Sequence, residues 1–189
     1  MRRALLVFVA LLGLVVGGCG PETVSGSTAV PVPTGTSHGA GATSGAGAVG
    51  VPSPPVAGDR VAACPYLHTS DVADANGQHV GAVKVSSGAD GQPHPACFFY
   101  RPDGSLQMTV WVYVGTASVA TAIVNQAAPV ATSDPATDPA GWNGGSLVLP
   151  KGAVYAVSKG GDAIVVTSNQ LQTIKCRLVA DLTVTGLGL

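Results

Sequence analysis

The chain has 189 residues, of which 46% are hydrophobic and only 10% charged, and its formal net charge is −1. That balance argues against nucleic acid or polybasic membrane contact as the main business, because either needs a clustered cationic surface. Arg2 and Arg3 open the chain, an apolar run follows from Ala4 to Val16, and Gly17-Gly18-Cys19-Gly20 comes next. A charged start, a short apolar stretch and small residues before a cut describe a secretory signal over residues 1–18, too short to span a bilayer. Without those residues, seven Lys and Arg stand against ten Asp and Glu, so the remainder sits near −3.

The run Val16-Gly17-Gly18-Cys19 resembles the lipobox of bacterial lipoproteins. That resemblance implies that Cys19 becomes the first mature residue and carries diacylglycerol on its sulfur. It also implies a lipid-anchored protein on the extracytoplasmic face of the cell membrane, with the lipid on Cys19 as its membrane contact. Two acyl chains on one residue are enough for stable anchoring.

Residues 19–58 read as the lipidated cysteine and a disordered tether. From 20 to 58, 25 of 39 residues are Gly, Pro, Ser or Thr and none is aromatic. Such a tract buries too little apolar surface to offset its ordering entropy. As a flexible coil it reaches roughly 30–40 Å root-mean-square. Two motif matches fall inside it. Gly35-Thr36-Ser37-His38-Gly39 has nucleophile-elbow spacing, and the stretch from Gly45 to Gly50 has the spacing of a dinucleotide-binding loop. Both chemistries need a strand before and a helix after, and the tether offers neither.

Residues 59–189 are expected to form one domain. Thr69-Ser70-Asp71 has N-cap chemistry, and Asn76-Gly77 ends that short helix. Val80 to Val85 reads as a strand. Cys97 to Arg101, the turn Pro102-Asp103-Gly104 and Leu106 to Val114 read as a hairpin. Its second strand alternates, with Met108, Val110, Val112 and Val114 on one face and Gln107, Thr109, Trp111 and Tyr113 on the other. Thr116-Ala117-Ser118 caps a helix running to about Ala128, and Pro129 to Gly145 reads as a loop. Val154 to Val157 and Ile164 to Thr167 flank Gly160-Gly161 as a second hairpin. A final helix starts near Asn169, with Leu171, Ile174, Leu178 and Leu182 on its apolar side. The order α-β-ββ-α-ββ-α predicts an α+β fold: an antiparallel sheet of about five strands with two or three helices packed on one face.

Chemistry-bearing residues are sparse. With Cys19 assigned to lipid, Cys64, Cys97 and Cys176 remain, in a chain bound for an oxidising compartment. The preferred disulfide is Cys64–Cys97, tying the segment before the first helix to the first hairpin strand; pairings through Cys176 are the competitors. Beside Ile174 on the last helix, Cys176 reads as a half-buried small hydrophobe. His68, His79 and His94 have spacings that fit no local metal-ligand pattern. Ser70, His68 and Asp71 make a triad on paper only, since helix capping already accounts for Ser and Asp. The only Glu is Glu22, so a glycosidase-like pair in the domain would be built from Asp alone. Trp111 and Tyr113, with Trp142 folding over from the long loop, form a candidate ligand face.

Cys64-Pro65-Tyr66-Leu67, the stretch from His94 to Gly104 and the stretch from Thr109 to Gly115 resemble a family of mycobacterial and related actinobacterial secreted lipoproteins. That family carries a domain of unknown function, so the resemblance implies no catalytic residue. The expectation is a lipid-anchored envelope protein whose domain binds a lipid, glycan or protein partner near the membrane. No cofactor, metal or nucleic acid is expected. The alternatives are an extracytoplasmic hydrolase with an Asp/His site, and a structural or accessory subunit of an envelope complex.

Overall fold

The computed structural model describes residues 50–86 and 92–189. The signal, Cys19 and the tether as far as residue 49 lie outside the described residues. Eight strands and three helices follow in the order β1 (Arg60–Val61), α1 (Thr69–Asn76), β2 (Ala82–Val85), β3 (Cys97–Tyr100), β4 (Leu106–Val114), α2 (Ala117–Ala127), β5 (Asp134–Ala136), β6 (Asn143–Leu149), β7 (Gly152–Lys159), β8 (Asp162–Ser168) and α3 (Thr173–Leu187). The strands join one sheet in the order β1-β2-β3-β4-β8-β7-β6-β5, with antiparallel pairing throughout. Two four-stranded meanders are thus zipped together through β4 and β8, from Met108 opposite Ser168 to Val114 opposite Asp162.

The mixed α/β character and the antiparallel sheet match expectation, but the sheet has eight strands rather than about five, and the element order differs. β2, β3, β4, β7 and β8 are the five expected strands. The added ones carry weak β signals: β1 is two residues long, β5 contains Pro135, and β6 begins Asn143-Gly144-Gly145. β6 pairs β7 along its whole length, so tertiary pairing overrides its poor intrinsic preference.

The helices do not share one face. Met108, Val110, Val112, Val157, Ile164 and Val166 are buried in a core cluster with Val72 of α1 and with Cys176, Val179 and Ala180 of α3. Phe98, Trp111, Tyr113, Ala156 and Val165 are buried in a second cluster with Ala120, Ile123 and Val124 of α2. Strand alternation sends each set to opposite sides, so the sheet is the middle of three layers. β8 signals this in its sequence: Ile164-Val165-Val166 is apolar without alternation, as suits a strand buried on both faces.

The last helix is turned relative to expectation. Leu171, Ile174 and Leu178 are 58%, 46% and 40% exposed, whereas Cys176, Val179, Ala180, Thr183 and Val184 are buried. Small and β-branched side chains let α3 approach the sheet closely, and the larger Leu/Ile row would hold it off. At its C-terminal end, a Cβ on Gly186 would collide with the Tyr66 carbonyl. Thr183 satisfies its buried hydroxyl by donating to Val179 O at 2.7 Å.

α1 is held by a polar clamp. Gly77 caps its C-terminus at φ 67. The fully buried Asn76 donates through Nδ2 to Gln107 Oε1 at 2.9 Å and accepts at Oδ1 from Ser168 Oγ at 3.0 Å. Its carbonyl accepts from Gln170 Nε2 at 2.8 Å and from Lys175 Nζ at 2.7 Å, which places a cation at the negative end of the helix dipole. At the other end His68, not Thr69 or Ser70, is the N-cap, and no side-chain capping bond forms.

Candidate functional site

Cys64 and Cys97 are joined by a disulfide with a Cα–Cα distance of 5.6 Å. It fastens the segment before α1 to β3. Cys176 is fully buried, and its Sγ donates to Ala153 O at 3.5 Å. Burial pushes its thiol pKa from 9.0 up to about 12, which removes the thiolate that nucleophilic or redox chemistry needs.

Cys176 also makes stability pH-dependent. A thiol that stays protonated in the fold but ionises near 9.0 when unfolded favours folding fully below that pH, and the contribution is lost as pH climbs towards about 12. Tyr66, raised above 10.0 by burial, acts in the same direction at higher pH. Guanidinium unfolding at about pH 10.5 should show stability down by about 2 kcal/mol from about pH 8, with Cys176→Ala flattening that fall. An unchanged wild-type stability between those two pH values would contradict the buried thiol.

The candidate ligand face is not assembled, and the packing reading of its aromatics fits the burial. Trp111 and Tyr113 are buried on the α2 side, whereas Trp142 is buried in the core on the α1/α3 side. Register explains the separation. Gly144 stands opposite Val157, a residue of the α1/α3 core, and Trp142 is two residues earlier on the same face. The three aromatics are packing residues on two different faces and form no shared surface.

His68 ends the segment before α1, His79 is exposed, and His94 sets its ring edge-on to Tyr66 at 6.0 Å. Among the described residues no group of three His, Cys, Asp or Glu is placed to hold a metal ion. Ser70 Oγ donates to its neighbour Asp71 Oδ1 at 3.2 Å.

What the structure does assemble lies along α3. On one side, Asp71, Asp74 and Ala75 of α1 face Leu178, Asp181 and Leu182 of α3 across an open groove of about 440 Å³. Its lining combines Ala75, Leu178 and Leu182 with the carboxylates of Asp71, Asp74 and Asp181. On the other side of α3, a smaller groove of about 220 Å³ is walled by Thr137, Asp138, Ser146, Tyr155, Ile174 and Arg177. There Arg177 pairs with Asp138 at 2.9 Å, and Tyr155 donates its hydroxyl to the Asp138 carbonyl at 2.7 Å. Burial raises the Asp181 carboxyl pKa against the lowering pull of Arg177, and its Oδ1 faces inward without a hydrogen-bond partner.

Between the two grooves runs the exposed ridge of Ile174 and Leu178. Their spacing marks them in the sequence as the buried row of α3, whereas the fold leaves them exposed. The acidic partners on α1 lie about a hundred residues upstream, so no local pattern joins them. The available signal was that α3 carries two apolar rows, only one of which a sheet can bury.

A family model described as Domain of unknown function (DUF2020) matches residues 47–189, so the chain belongs to that family. No curated protein matches the sequence.

Proposed function

We propose that this member of the DUF2020 family is a lipid-anchored bacterial envelope protein, of the actinobacterial lipoprotein kind its sequence resembles, and that its domain is a binding module. The Val16-Gly17-Gly18-Cys19 sequence supports anchoring, and the Cys64–Cys97 disulfide is the kind of bond that persists in an oxidising, extracytoplasmic compartment. The observation that carries the binding reading is the exposed Ile174/Leu178 ridge of α3 beside the α1/α3 groove. A cluster of large apolar side chains left in water on a well-packed domain marks an interaction surface. A hydrolase reading has less support, since His68, His79 and His94 line neither groove on α3.

Two measurements test the two halves of the proposal. Cys19→Ser should move the full chain out of the membrane fraction; unchanged stable fractionation would argue against lipid anchoring. For the surface, a photo-cross-linking amino acid at position 178 should give a discrete adduct in intact cells. The same group at exposed Val148, outside both grooves, should give none. Equal labelling at both positions, or none at 178, would count against α3 as the working face.

A further inference from the structure

The geometry points to one class of occupant for the α1/α3 groove: a cationic amphipathic helix of another protein, with Leu-type anchors on one face and Lys or Arg beside them. This inference rests on the binding-module reading above and deepens it. Three observations carry it.

The first is shape. Ile174, Leu178 and Leu182 are spaced by four residues along α3, which makes a row about 12 Å long, with Leu178 and Leu182 lining the α1/α3 groove and Ile174 extending the row at the second groove. Across the groove from Leu178 and Leu182 stand Asp71, Asp74 and Ala75 of α1. Two helices with an apolar trough between them present ridges and grooves into which a third helix packs, read by anchors at i, i+4 and i+7.

The second is charge. Asp71, Asp74 and Asp181 line the groove, and no Lys or Arg does. Lys175 is bonded to the Asn76 carbonyl and to Gln170 Oε1, and Arg177 is paired with Asp138 while its charge also acts on Asp181, so Asp71 and Asp74 carry the groove's negative sign most fully. An apolar lining with charges of one sign selects a partner of the opposite sign and steers its approach.

The third is elimination of nearer occupants. A second copy docked face to face would bring two sets of the same three carboxylates together, which electrostatics opposes. An anionic lipid surface is opposed for the same reason. The chain's own residues 20–58 contain no Leu, Lys or Arg, so they supply neither anchor nor countercharge.

The test uses the purified full chain and three probes. These are a fluorescein-labelled Leu/Lys amphipathic helical peptide, its Leu/Glu counterpart, and vesicles of anionic phosphatidylglycerol. Anisotropy should show the Leu/Lys peptide binding and the Leu/Glu peptide not. Ile174→Ser with Leu178→Ser, both at exposed positions that leave the core intact, should weaken binding about tenfold or more. Asp71→Asn with Asp74→Asn should weaken it several-fold and flatten its dependence on salt.

Equal binding of both peptides, or binding that ignores all four substitutions, overturns the inference. So does vesicle binding that the Ile174→Ser, Leu178→Ser variant abolishes, since the occupant is then lipid. If position 178 still cross-links in cells while neither peptide binds, the occupant is of another kind and the binding-module reading survives. If both signals are absent, the reading itself fails.

Discussion

Trp142→Ala should destabilise the domain by about 3–5 kcal/mol, the range for deleting a large aromatic from a closed core. Trp142 is 1% exposed and heads the fully buried side chains by volume. It shares its core cluster with Ala136, Tyr155 and Val157, on strands from both sides of β6. Its amide donates to Pro139 O at 3.0 Å, and Lys159 Nζ lies 6.0 Å from the ring centroid. Truncation therefore opens a cavity that the rigid sheet cannot close, and it also removes a modest cation–π contact. Urea unfolding measures the loss directly. Trp142→Phe should recover more than half of it, because the ring volume is what matters. A ligand-face tryptophan would behave differently: its removal would cost under about 1 kcal/mol, and that result would falsify the core assignment.

Removing the disulfide should be nearly as costly. Cys64→Ala with Cys97→Ala frees a loop with a sequence separation of 33 residues, worth roughly 3–4 kcal/mol in the chain-entropy account. For a domain of this size that corresponds to a melting temperature about 10 °C lower or more. Cys97 is fully buried and Cys64 is 8% exposed, so the substitution also loses packing. The bond anchors the segment whose Tyr66 hydroxyl donates to Pro95 O at 2.9 Å, which makes its loss felt on both sides of the bridge. An unreduced digest should show the Cys64–Cys97 peptide, with Cys176 reacting only after denaturation. A peptide linking Cys176 to either partner would overturn the assignment.

The features legible in sequence were those governed by local pattern. Alternation from Met108 to Val114 placed the β4 side chains correctly on two faces, and Gly77 marked the end of α1 through the left-handed backbone a C-cap needs. The features that were not legible depend on what a segment packs against. Gly144 and Gly145 argue for a loop in isolation, yet β7 recruits them into a strand. Leu171, Ile174, Leu178 and Leu182 look like the buried row of α3 by residue size alone. The sheet accepts the smaller row through Cys176 and Ala180, because close approach of helix to sheet outweighs the burial of larger side chains. The groove was invisible for a related reason. Asp71 and Asp74 belong to the first helix and Asp181 to the last, and the shared core together with the clamp at Asn76 brings those helices side by side.

The position of the disulfide within the meander order has a consequence for synthesis. Cys64 and Cys97 both belong to the first half of the sheet, and Cys176 lies 79 residues beyond Cys97, in the last helix. On the proposed export, a chain delivered N-terminus first presents the Cys64–Cys97 pair before Cys176 emerges. β1 to β4 pair only among themselves until β8 arrives. The bridge can therefore close on a half-built sheet, and the later closure of β4 against β8 places Cys176 in the core as a thiol. On that proposed route, chain order would favour the Cys64–Cys97 pairing alongside the geometry that the fold supplies.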